Sequence, residues 1–119
     1  MKMLKGKAKT AGPRSGISAA RLAGMIEEAT IDAYDESEQT TGWLTMFQSH
    51  LVLPFESEVL GMCVTVVAVD QHEGNQIVAV CKRGKHKLAV GIVDLPLPSQ
   101  KPEGAEWIEA YREWLRGRW

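Results

Sequence analysis

Hydrophobic positions along the chain change period as it proceeds, and the changes divide it into elements. After Ser18, apolar residues fall at Leu22, Ile26, Ala29 and Ala33, with Met25 beside them and Glu27, Glu28 and Asp32 off the stripe. That spacing predicts an amphipathic helix with Ser18 as its N-cap. The pattern weakens at Tyr34. It resumes with Trp43, Phe47 and Leu51 four apart and Leu44 alongside, a second helix bounded by Pro54. Asp35 suits the N-cap of that helix. Glu38, three residues on, has the spacing to return a bond to the cap N–H. The two helices are expected to meet in a corner around Asp32–Gln39.

From Phe55 the period shortens. Leu60–Asp70 is β-branched and almost wholly apolar, which predicts a strand covered on both faces. Glu73-Gly74-Asn75 is a turn signal, Gln76–Cys81 a second strand, Lys82–Lys87 a basic hairpin tip, and Leu88–Val93 a third strand. Gly61 and Gly91 suit bends or bulges. Short hairpins in such quick succession predict a small SH3-like curved antiparallel sheet or barrel. The prolines of Asp94-Leu-Pro-Leu-Pro98 favour an extended segment. Gly104–Leu115 then reads as a last helix. Its stripe of Trp107, Tyr111 and Trp114 is expected to cover the open end of the barrel. The fold class expected is α+β: two N-terminal helices, the sheet or barrel, and a C-terminal helix.

Composition sets bounds on this picture. The chain has 119 residues, 45% hydrophobic and 24% charged, enough for one domain with its own core. No apolar run approaches the roughly 20 residues that span a bilayer, and no apolar block follows the N-terminal lysines, so a cytoplasmic protein without membrane contact is expected. Residues 1–17 are small, basic and aperiodic, and are expected to form a flexible arm before a single domain at 18–119. Cys63 and Cys81 lie in apolar runs without metal spacing, and two buried thiols are expected.

The net charge of −1 conceals a strong segregation. Residues 1–24 carry six bases and no acid. Residues 25–75 carry ten acids and no Lys or Arg. Such blocks suit separate partners, or internal pairing of a basic tail with an acidic face. An enzyme is disfavoured: His50, His72 and His86 are isolated in sequence, and there is no zinc-protease motif, nucleophile elbow or phosphate-cradling glycine loop.

Two constellations remain. Asp32, Asp35, Glu36 and Glu38 lie within seven residues at a helix junction, with Gln39, Thr40 and Thr41 adding neutral oxygens. Calcium takes six to eight oxygen ligands of this kind. The loop lacks the alternating acids and central glycine of an EF-hand, and carboxylates at Asp35 and Glu38 have a capping role with or without a metal. Glu56 and Glu58 alternate onto one face of the strand that follows and are further candidate ligands. The second constellation is Lys82, Arg83, Lys85 and Lys87 around Gly84. It suits an interaction module touching protein or RNA without metal. No aromatic interleaves the cluster, so nucleic acid is the less favoured partner.

The order Asp32-Ala-Tyr-Asp-Glu-Ser-Glu-Gln39, Gly42-Trp43, Leu53-Pro54-Phe55 and Trp107-Ile-Glu-Ala-Tyr-Arg-Glu-Trp114 resembles the bacterial calcium-binding protein family typified by the cyanobacterial heterocyst-differentiation protein (CcbP-like). The resemblance covers roughly Ile26 to Trp114. It implies a small α+β protein that binds calcium and does no catalysis. It also implies a weaker site here, because family members often carry acids at the end of the second helix, where this chain has Gln48-Ser49-His50.

Overall fold

The computed structural model describes residues 17–117. The expected basic arm lies, except for Ile17, outside them. Helix α1 spans Ala19–Thr30, α2 spans Glu36–His50, and four strands follow: β1 Phe55–Val59, β2 Met62–His72, β3 Gln76–Arg83 and β4 His86–Gly91. Short 3₁₀ turns at Glu73–Asn75 and Ile92–Asp94 precede β3 and follow β4, and α3 spans Ala105–Leu115. The arrangement is the expected α+β one.

Both helix starts are capped as their sequences predict. Ser18 Oγ accepts from Arg21 N–H at 3.2 Å and Asp35 Oδ1 from Glu38 N–H at 2.8 Å. Glu38 Oε1 reaches one residue further back than a capping box would, accepting from Tyr34 N–H at 2.8 Å. Helix α1 stops at Thr30 because Ile31 turns extended and Asp32 enters the left-handed region at φ 58°. It buries Leu22, Met25 and Ala29.

The sheet is an open antiparallel meander in the order β1-β2-β3-β4, not a closed barrel. Leu60 and Gly61 form a tight turn with φ 53° and 77°, so the strand expected from Leu60 starts at Met62, and β1 pairs with it across the turn as the edge of the sheet. One face carries Val64, Val66, Val69, Ile77, Ala79 and Cys81, all buried in the core shared with the helices. Strict alternation would send Val66 and Val69 to opposite faces. The bulge between Val66 and Ala68 restores Val69 to the buried side, opposite Ala79. The other face is only half-covered at Thr65, Val67, Ala68 and Val80, unlike the doubly buried strand expected. Cys63 shares that face with Thr65 and is exposed, while Cys81 is buried, and burial pushes its thiol pKa up.

Helix α3 packs on α1, α2 and the Ile92–Asp94 turn rather than plugging a barrel end. Its stripe surrounds Trp43 of α2: ring centroids lie 6.3 Å from Trp107, 5.4 Å from Tyr111 and 5.6 Å from Trp114. Two glycines permit close helix approach. At Gly104, φ is 90° and a Cβ would sit 2.1 Å from His50 O, where the start of α3 abuts the end of α2. At Gly42 a Cβ would sit 2.0 Å from Ala29 O, where α1 crosses α2. Gly42→Ala is therefore expected to lower stability by about 2 kcal/mol through overpacking, read as a fall in the urea midpoint. An unchanged midpoint would show that the helices do not meet there.

Candidate metal centre

The four hinge acids come from two helix ends. Asp32 follows the last turn of α1, Asp35 caps α2, and Glu36 and Glu38 occupy the first turn of α2. All four are exposed. The corner is electrostatically mixed. The first turn of α2 presents positive N–H ends that favour the carboxylates, while the last turn of α1 presents carbonyl oxygens that favour a cation. Asp35 and Glu38 each commit one oxygen to the backbone. A carboxylate has a second oxygen, so capping and coordination are compatible.

The neutral oxygens behave differently from expectation. Thr40 is buried and its hydroxyl donates to Glu36 O at 2.9 Å, which removes it from the surface of the corner. Thr41 donates to Ser37 O at 3.0 Å and lies 3.3 Å from Gln71 Oε1 at the end of β2. Helix α2 also packs on the Glu73–Asn75 turn. Gln71 and this turn, with Asn75 at φ 60°, are thus neighbours of α2 that the sequence did not single out. The Glu73-Gly74-Asn75 turn was readable, but not its landing place beside α2.

Glu56 and Glu58 stand apart from the hinge. They pair with Thr65 and Cys63, so Glu56 is level with Thr65, six residues or about 20 Å along β2 from Gln71. Together with Ser57, Cys63 and the Pro96–Ser99 segment they line a cavity of about 410 Å³ at the sheet edge. Among the described residues, no three His, Cys, Asp or Glu side chains converge as a metal would require. The donors of the hinge are nonetheless all oxygen and hard, which suits calcium and not zinc or copper. Their exposure leaves rotamers free to gather around an ion, at a cost in side-chain entropy.

The described ion pairs, Arg21–Glu106, Lys101–Glu109 and Arg116–Glu113, use no acid from residues 25–75. Among the described residues the acidic block is therefore not neutralised internally. Its charge reaches α3: the Tyr111 phenol is pushed above its ordinary pKa, first by burial and then by Glu36. At the end of α2, in the Gln48-Ser49-His50 stretch, the His50 ring stacks on Trp107, with centroids 4.9 Å apart and planes 10° from parallel. The position has an aromatic packing role in place of a carboxylate.

Lys82, Arg83, Lys85 and Lys87 are all exposed. Arg83 Nη1 lies 2.7 Å from Met62 Sδ, tying the basic tip to the Leu60–Gly61 turn beside it. No helix among the described residues is long and apolar enough to cross a membrane.

A family model described as calcium binding, that of CcbP, matches residues 24–115, and the chain belongs to this calcium-binding family. The family is named for ion binding and not for catalysis. Among solved structures, the crystal structure of Anabaena CcbP matches with a TM-score of 0.68 at 18% identity, over 85% of this chain and 94% of that one. At that identity the likeness speaks for the fold. No curated protein matches significantly.

Tyr111 offers a probe of the hinge. A raised folded-state pKa means that the folded protein holds the phenolic proton more tightly than the unfolded chain. The associated stability is present below about pH 10 and is lost as pH rises through the folded value. Glu36→Gln is expected to lower the Tyr111 titration in an ultraviolet phenolate assay while leaving the larger part of the rise, which burial causes. An unmoved titration would show that Glu36 does not act on α3.

Proposed function

We propose that the protein is a non-enzymatic calcium binder whose ion is held weakly at the corner between α1 and α2. Asp32, Asp35, Glu36 and Glu38 are the ligands proposed. The observation that carries this reading is the placement of four exposed carboxylates, unpaired with any base of the described ion pairs, around the carbonyl end of α1. Membership of a calcium-binding family gives the ion. Weak affinity follows from three features. Two of the carboxylates are shared with helix capping, the acids are not gathered beforehand, and the N-terminal dipole of α2 opposes a cation. Glu56 and Glu58, at the far end of β2, belong to a separate surface and are not needed by this reading.

Terbium, a calcium mimic, tests it. Trp43 lies eight residues into α2 from Asp35, about 12 Å along the axis, within range to sensitise terbium emission. Saturable emission reversed by calcium, with a matching calorimetric isotherm, is expected. The pair Asp32→Asn with Asp35→Asn should weaken binding at least about tenfold, or 1.4 kcal/mol. Asn also caps helices, so the melting temperature of that variant should barely move. Binding that survives the double substitution, or no saturable binding in the parent, would overturn the assignment.

A further inference from the structure

The basic tip and the acidic corner are complementary surfaces that cannot meet within one molecule. The tip sits at the end of the sheet where two turns lie side by side, Leu60–Gly61 and Arg83–His86. Residues 60–63 and 82–89 are exposed there. Leu60 is 89% exposed, and Leu88 and Met62 add further apolar surface. Between the turns lies a pocket of about 150 Å³ with Val64, Cys81, Met62 and Leu88 as its apolar lining and Arg83 and His86 among its walls. Lys85 lies in the turn beside it, while Lys82 and Lys87 pair on the opposite face of the sheet, and the chain has no acid between Glu73 and Asp94. The corner has the opposite character. Ile31 and Tyr34 project from it, 69% and 86% exposed, among Asp32, Asp35, Glu36 and Glu38.

Each surface carries what the other lacks: an apolar projection set in negative charge, and an apolar pocket set in positive charge. The corner neighbours the Gln71 end of β2 and the tip the Met62 end. Gln71 is nine residues along β2 from Met62, so about 30 Å separates them. We propose that the tip of one copy docks on the α1–α2 corner of a second copy, seating Tyr34 or Ile31 over the pocket and the corner acids against Arg83 and Lys85. The contact joins two different patches, so it builds rings or open chains and not a twofold dimer. Exposed ion pairs contribute little and are screened by salt, so association is weak and strengthens at low ionic strength.

Sedimentation of the full chain in chelator tests this without reference to calcium. At low salt the average mass is expected to rise with concentration up to about 1 mM, and to return to that of one chain near 0.5 M salt, where screening reaches within a few ångström. A tip variant, Arg83→Glu with Lys85→Glu, and a corner variant, Tyr34→Ser with Glu36→Lys, should each remain single chains. Mixed together they should form a one-to-one complex, because each retains the surface the other has lost. That complementation also shows that both variants are folded. A single chain at every concentration would overturn the proposal. So would association retained by either variant alone, a parent that associates while the mixture does not, or association that needs added RNA.

Discussion

The burial of Trp43 against α3 is the contact on which the rest of the molecule depends. Its ring is fully enclosed and touches Phe47, Trp107, Tyr111 and Trp114. Aromatic pairs of this kind contribute beyond the area they bury, by roughly 0.5–1.5 kcal/mol each. Through them α2 is clamped to α3. Arg112 of α3 donates to Ile92 O and Leu95 O, fixing the chain that leaves β4. The direction of α2, and so the position of its first turn, is set by this aromatic packing and not by the described ion pairs.

That packing explains how ten acids can be concentrated in one stretch without unfolding it. The hinge carboxylates are exposed, where mutual repulsion is screened. Asp35 satisfies a backbone N–H that the start of α2 leaves open, and Glu38 accepts from Tyr34 N–H just before the cap. The corner is thus a stable junction in its own right, and a cation would be an addition to it. Under the proposed assignment the protein is expected to stay folded at low calcium and to change charge, more than shape, when the ion binds.

Local spacing made much of this legible. Asp35 and Glu38 could be read as a cap, Trp43, Phe47 and Leu51 as one helix face, and Trp107, Tyr111 and Trp114 as another. Pairing across the chain was not legible. The aromatic stripe of α3 was correctly read as buried but assigned to a barrel end, because nothing local names Trp43 as its partner. The Leu60 turn was missed because an apolar residue at positive φ gives no turn signal. Missing it also misplaced Cys63, which the resulting register turns to the outer face. Glu56 and Glu58 were further candidate ligands because they alternate onto one face of the strand that follows α2. The strand register sets them level with Thr65 and Cys63, along β2 from the Gln71 end that neighbours α2.

The central claim is that calcium binds at the α1–α2 corner of an already folded protein. Amide chemical shifts followed through a calcium titration test it most directly. The account predicts saturable shifts centred on Asp32–Gln39, fading towards Gln71, with the indole signals of Trp43 and Trp107 in place from the start. Shifts centred on Glu56 and Glu58, or a spectrum that becomes that of a folded protein only after calcium is added, would contradict it.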